Sequence, residues 1–521
     1  MNYITRAVAT PIPQSQPFRE EQVRNNAGGY SWEVDPWVQL QRFLLLGSQS
    51  GTYYVGEVDL TKANLTAVRE CIAEDSGRAV NLVVDVLRAH RAAKPDTALY
   101  TLALCLKTAD VRGRRTAVGY LPTLHLTGYQ ILKLASFVDS LGGWGRGTKR
   151  AFASWFLAQN ERDLAYQAIK YQARDGWALS DLLRLSHPKA DSVVRNAIFK
   201  WIVDSEYASA SILPEMAGLE PIWGYRAIRE PGITPELIIR AYRLPREAVP
   251  TEMLQSAEVW GALLDDMPMV ATVRNLATLT RIGVLKPLGV RTRETVARLR
   301  DAEQIKRSGI HPMQIFSALM TYRQGSWEPD GQIVGALEAA FPLAFANVEG
   351  TGQRIVLGID VSGSMNGAAV NGLKNVTAHQ AAAAMALVIA RTEPQAYFVA
   401  FDTLAKPMAI DSGVTLSHML SQLPTGGGTD VAQPVLHALD RKIEADAFVI
   451  LTDSESWAGN RHAMDALAEY RKRINPKAKL INVQMTATKN TNADPKDAGC
   501  LEAIGFDTTT PAVISEFLRL V

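Results

Sequence analysis

The apolar residues of this chain change their spacing once, and the change divides the fold. From about Trp37 to Phe345 they recur at three and four positions, the stripe of a helix packed on one side. Pro36–Leu44, Leu65–Ala73, Ala79–Ala93, Tyr129–Leu141 and Asp191–Asp204 carry this pattern, and Lys94-Pro95-Asp96, Gly142-Gly143 and Glu230-Pro231-Gly232 punctuate it. Many short helices without strand alternation predict a stacked helical-repeat solenoid, although no fixed period is written in the residues. After Phe341-Pro342-Leu343 the pattern becomes βα. Strands are expected at Arg354–Ile359, Ala396–Phe401, Ala447–Leu451 and Leu480–Met485, with helices between and after them, which predicts a doubly wound parallel sheet. The fold class is therefore α followed by α/β. Residues 1–30 read as an irregular arm, 31–348 as the helical domain and 349–521 as the α/β domain, with the boundary near Asn347–Gly352.

The strand Ile355-Val356-Leu357-Gly358-Ile359 ends in Asp360, Ser362 and Ser364. Alternate residues of an extended loop point the same way, so one carboxylate and two hydroxyls converge. Thr429, in Gly426-Gly427-Gly428-Thr429-Asp430, and Asp453, after the apolar run Phe448–Leu451, follow in order and complete a shell of hard oxygens. Such donors suit one small hard cation, Mg2+ above all. A serine-capped turn without metal is the structural alternative. A two-metal nuclease needs more clustered carboxylates than Asp360 and Asp453, even with Asp402 or Asp430 added. The serines do not sit in G-x-S-x-G, and neither a P-loop nor a zinc motif is present. The reading is therefore a binding protein and not an enzyme.

A length of 521 residues predicts at least two domains, and a net charge of +2, with 47% hydrophobic and 21% charged residues, describes an ordinary globular protein. Its 3 cysteines show no paired spacing, which fits a reducing cytosol. Met1–Glu21 is polar, unlike a signal peptide, and no apolar run reaches membrane-spanning length. These features place the protein in the cytoplasm, away from any membrane. From Lys133 to Trp201, 11 Lys+Arg face 6 Asp+Glu, an excess that attracts a phosphate backbone. Within it, Lys170 and Arg174 are expected on one helix face, four residues apart, with His187 at the turn before the next helix. Lys149 and Arg150 belong to the same stretch. Arg112, Arg114 and Arg115, with Lys107 upstream, are expected in a loop, which suits single-stranded RNA and equally suits a merely solvated turn. Tyr30, Trp32, Tyr53, Tyr54 and Trp144 are candidate stacking platforms, but aromatics in helical stripes belong more often to the core. Arg471-Lys472-Arg473 reads as a solvated helix end.

The set Asp360, Ser362, Ser364, Thr429 and Asp453 resembles the metal-ion-dependent adhesion site (MIDAS) of von Willebrand factor A domains. Asn26-Ala27-Gly28-Gly29-Tyr30, Arg42–Gly47, Gly51-Thr52-Tyr53-Tyr54, Gly143-Trp144-Gly145-Arg146 and Asp175-Gly176-Trp177 through Lys189 resemble the TROVE module. Met267-Pro268-Met269 and Gly309-Ile310-His311-Pro312 look like further parts of it. A TROVE module followed directly by an A domain is the layout of the Ro family, here of bacterial type. That resemblance implies a ring of HEAT-like repeats closed by the A domain. It implies single-stranded 3′ ends of misfolded or precursor RNAs in the central hole and small noncoding Y-type RNA on the outer surface. Exoribonuclease partners in RNA quality control under stress, and no catalysis, are implied as well. Lys170, Arg174 and His187 fall on the family's Y RNA-contacting positions in K-x-x-x-R…LRLSH. The rival reading is a metal-dependent protein-binding or assembly module without an RNA role.

Overall fold

A computed structural model describes residues 11–47, 57–92, 95–204, 217–323, 328–345, 350–367, 376–411, 413–505 and 510–519. They form two compact units. One takes the described residues of Met1–Val68, His311–Ser317 and Ala344–Val521; the other takes those of Arg69–Ile310 and Ala318–Leu343. Tyr53, Tyr54 and residues 347–349 of the expected boundary lie outside the described residues.

Among the described residues, the stretch expected as an irregular arm carries regular structure from Val23 onward. β1 (Val23–Arg24) and β2 (Tyr30–Glu33) form an antiparallel hairpin around Asn25–Gly29. The helix Pro36–Leu46 follows, started by Asp35, whose carboxylate accepts from Trp37 N and Val38 N, with Pro36 in the first turn, where its missing N–H costs nothing. No local period announces this packing, because the partners of the hairpin lie more than four hundred residues away.

The helical unit is built from short capped helices. Asp75, Asp110, Thr127, Asn160, Ser192, Ser256 and Asp301 each accept a first-turn N–H, so the sequence states where a helix begins. Ser76–Arg88, Asp96–Thr108 and Val111–Tyr120 pack on one another, and Gly128–Ser140, Arg146–Ala158 and Glu161–Lys170 continue the stack. One small hairpin interrupts it: β3 (Ala173–Arg174) pairs antiparallel with β4 (Trp177–Ala178) across Asp175-Gly176. Half-buried Trp144 packs edge-on against Phe152 and beside Trp177.

The α/β unit holds a six-stranded sheet. Its strands are β5 (Ile355–Asp360), β6 (Ala396–Phe401), β7 (Ala405–Met408), β8 (Ala447–Thr452), β9 (Lys479–Gln484) and, after the short β10 (Asn490–Thr491), β11 (Cys500–Ile504). The order is β11-β9-β8-β5-β6-β7. Five strands are parallel, the four expected ones and β11, but the edge strand β7 runs antiparallel to β6, so the sheet is mixed. β7 and β11 were absent from the periodicity, since a half-exposed edge strand carries no continuous apolar run. Val356, Phe448, Ile450 and Leu480 pack with Val435, Leu439, Leu467 and Tyr470 of two covering helices. Gly358 is required there, because a Cβ would meet Pro434 Cγ at 2.6 Å. Trp32 of β2 enters this same core, and β10 pairs with β2.

Candidate metal centre and nucleic-acid interface

Parallel pairing of β5 with β6 and β8 brings the carboxyl ends of these strands together. Asp360 ends β5, Asp453 follows β8, and Thr429 comes from the glycine-rich loop between them. Asp360, Ser362, Ser364, Thr429 and Asp453 are all buried, at 2% exposure or less. Ser362 N donates to Asp360 Oδ1 (2.9 Å), Thr452 Oγ1 donates to Asp360 Oδ2 (2.6 Å), and the Ser362 and Ser364 hydroxyls are 3.0 Å apart. Asp453 Oδ1 accepts from Glu455 N at 3.1 Å. Thr429 Oγ1 and Asp453 Oδ2 are buried without a hydrogen-bond partner among the described residues.

Burial and then the Asp453 carboxylate push the Asp360 carboxyl well above its usual range. Burial does the same to Asp453, which the Ser364 hydroxyl offsets only in part. Two dry carboxylates side by side, with an orphaned hydroxyl and an orphaned carboxylate oxygen, are the arrangement a cation relieves. The donor set fits a hard divalent ion. It counts two carboxylates and three hydroxyls; among the described residues no three His, Cys, Asp or Glu gather as ligands. Asp402 and Asp430 do not enlarge it: Asp402 pairs with Lys406 at 2.5 Å, and Asp430 accepts from Ala432 N (3.1 Å) and Gln433 Nε2 (2.8 Å).

Sequence reasoning missed Glu455, two residues beyond Asp453. It is fully buried, and burial raises its carboxyl to about 7. Asn26 N and Nδ2 bond its two oxygens at 3.0 and 2.7 Å. The Asn25–Tyr30 run was visible in the sequence, but nothing local pointed to its partner.

The basic residues are arranged differently from the expectation. Lys170 is the last residue of the helix Glu161–Lys170, which stops at Tyr171, and Arg174 stands in β3. The two therefore do not share a helix face. Asp175-Gly176, a hairpin dipeptide with both residues at positive φ (49° and 80°), was the signal that the helix could not continue. The Lys170 ammonium lies 5.5 Å from the Tyr166 ring centre and 5.2 Å from that of Tyr171, while Arg174 lies 5.3 Å from that of Tyr129. Burial opposes the Lys170 charge, but Tyr166, Tyr171 and Glu247 outweigh it and hold the ammonium above its usual range. His187 is exposed and caps Leu179–Ser186 in the left-handed region. Lys170 lines a cavity of about 350 Å³ with Arg162, Tyr166, Arg243 and Arg246, whereas His187 lines a separate groove with Leu183, Phe199 and Lys200.

Arg112, Arg114 and Arg115 are exposed on the helix Val111–Tyr120, not in a loop. Asp110 caps this helix through Gly113 N (2.7 Å), and Gly113 lies against Ser76, where a side chain has no room. Lys149 is half-buried and Arg150 exposed on Arg146–Ala158, which packs on Val111–Tyr120, so the two basic groups ride on neighbouring helices. Other cations of the stretch are structural. Arg195 is buried and donates to Phe156 O (2.6 Å) and Gln159 O (3.0 Å), and Lys133 pairs with Asp175 (3.3 Å). No described helix is long and apolar enough to cross a membrane.

The TROVE domain family model matches residues 23–211 and 243–321, and the Ro60 vWA domain model matches residues 354–518. The chain belongs to the Ro family. A Ro relative from Deinococcus radiodurans, named RNA-binding protein RO60, is 40% identical over 100% of this chain and 99% of its own length. One of the same name from Caenorhabditis elegans is 30% identical over 97% of this chain and 91% of its own. The crystal structure of the Deinococcus radiodurans RO (RSR) protein superposes with a TM-score of 0.69 at 37% identity, covering 93% of this chain and 99% of that one. A helical TROVE region followed by an A domain is thus the Ro fold.

Proposed function

We propose that this protein is an RNA-binding scaffold of RNA quality control, cytoplasmic and without catalysis of its own. The observation that carries the reading is full-length similarity to a protein named for RNA binding, with 40% identity across both chains. A small noncoding Y-type RNA binds the basic surface through Lys170, Arg174 and His187, and single-stranded 3′ ends of misfolded or precursor RNAs enter the central hole of a family-type ring. Arg112, Arg114, Arg115, Lys149 and Arg150 grip phosphates with little base readout, which suits clients that share a backbone and not a sequence. The ring positions these ends for an exoribonuclease, and the Y-type RNA restrains access.

Mg2+ is the ion whose hardness suits Asp360, Ser362, Ser364, Thr429 and Asp453. When bound, it supplies the positive charge that the two carboxylates lack. The side chains hold it with three neutral hydroxyls, a donor set suited to one ion and to an acidic group from a partner protein.

The test is a triple variant, Lys170→Ala with Arg174→Ala and His187→Ala, assayed by gel shift with a structured small RNA. Y-type RNA binding is expected to vanish while thermal unfolding stays where it was. Retained affinity in the folded triple variant would overturn the assignment of these residues.

A further inference from the structure

Two metal-ligand candidates, Thr429 and Asp453, carry the orphaned buried oxygens of the site, and the loop Ser454–Ala458 bonds to both of them. From that loop Glu455 N bonds Asp453 Oδ1 at 3.1 Å, which leaves Oδ2 without a partner. The carbonyl of Thr429 accepts from Ser456 Oγ (3.3 Å), Trp457 N (3.1 Å) and Ala458 N (3.0 Å). The loop turns through Ser454 at φ 62°, a left-handed conformation that costs a non-glycine residue energy and needs outside support.

Support arrives from the amino-terminal turn. Asn26 bonds both oxygens of the buried Glu455 carboxylate, through N at 3.0 Å and Nδ2 at 2.7 Å. Asn25 Nδ2 donates to Ser456 O at 2.6 Å, and Asn25 Oδ1 accepts from Gly29 N at 2.9 Å, which locks the turn that presents them. Gly29 itself lies against the next peptide, where a Cβ would come within 2.7 Å of Trp457 Cα. Three successive residues of the ligand-holding loop are therefore gripped by one five-residue turn.

We infer that the turn Asn25–Gly29 is a positioning element for the metal centre, so that its docking and the binding of a divalent cation are coupled. Asn26 acts through Glu455 on Asp453, and Asn25 with Gly29 act through Ser456 and Trp457 on Thr429. Coupling of this kind is reciprocal: what tightens the turn tightens the ion, and the ion tightens the turn by the same factor. The inference rests on the metal reading of the site.

The experiment is calorimetric titration of the full-length chain with Mg2+, and separately with Mn2+, on wild type, Asn26→Ala, Gly29→Val and Lys496→Ala. Lys496 pairs with Glu21 at 2.9 Å on the surface and serves as a control that leaves the turn untouched. Loss of outer-sphere support costs on the order of tenfold or more in affinity, so Asn26→Ala and Gly29→Val should weaken binding by that factor and Lys496→Ala should not. Hydrogen exchange on the wild type supplies a second readout: the amides of residues 25–30 should exchange more slowly once Mg2+ is added. If Asn26→Ala and Gly29→Val fold and bind the ion as wild type does, the coupling is overturned and the metal reading stands. If either variant fails to fold, the exchange experiment decides, and unchanged protection overturns the coupling. Wild type that binds neither ion removes the metal reading and the coupling with it.

Discussion

The candidate metal centre and the basic helical surface hold their charges in opposite ways. Asp360 and Asp453 are dry, fixed by neighbours within 3.1 Å, and raised in pKa by burial, to which the Asp453 carboxylate adds at Asp360. Arg112, Arg114, Arg115, Arg150, Arg174 and His187 are exposed to solvent. A small ion with strict geometry needs preorganised oxygens, and their desolvation is what makes binding worthwhile. A polyanion needs no such precision. Its counterions are released by any well-distributed set of cations, and its flexible backbone finds them.

The largest expected effect separates the two regions outright. Asp360→Ala should remove Mg2+ binding in calorimetry and leave RNA affinity in a gel shift within about twofold, because the phosphate contacts proposed for RNA lie elsewhere. A parallel loss of RNA binding would show that the two regions do not act separately. Next comes Arg42→Ala. Arg42 is fully buried, bonds the carbonyls of Thr488 and Asn490, and pairs with Glu502 at 2.6 Å. Removing it leaves an unpaired buried carboxylate, at a cost of about 3–5 kcal/mol in denaturant unfolding of this unit. Replacing the exposed Arg112, Arg114 and Arg115 by Ala should weaken RNA binding by roughly tenfold, with unfolding unchanged. It should also flatten the salt dependence by up to about 0.9 for each phosphate that is no longer neutralised. An unchanged salt slope would place the phosphate-gripping residues elsewhere. The smallest effect is on pH. The Lys170 ammonium is held above its ordinary value, so its charge is complete below that value and lost only as pH rises through the raised one. In the His187→Ala background, where no imidazole contributes, RNA affinity should therefore stay flat from about pH 7 to about pH 9. A decline in that window would contradict the environment drawn for Lys170.

The same two regions differ in how much of them could be read from residues alone. Asp360, Ser362 and Ser364 announce themselves because an apolar strand must end there and alternate side chains share a side. Asp453 does so because it directly follows another such strand. Local grammar was enough. For the basic surface the residue types were legible and their arrangement was not. Lys170 and Arg174 have helical spacing, yet the helix ends at Tyr171 and a two-residue hairpin takes over. Gly113 between arginines looks like a loop, yet Asp110 caps a helix there and the glycine lets it pack on Ser76. Least legible were the pairings made across the whole chain: Trp32 in the core of the A domain, Arg42 with Glu502, and Asn26 with Glu455. Periodicity reports which face is buried and never what buries it.

The proposed function has the helical unit holding RNA without catalysis and without help from the candidate metal centre. Its most direct test is a gel shift of the purified protein with a structured small RNA, with and without a single-stranded 3′ tail. It is run across a salt series, in Mg2+ and in EDTA. Tight, salt-sensitive, tail-dependent binding of intact RNA, equal in both conditions, is the expected result. Cleavage of the RNA, or no binding at low salt, would contradict the claim.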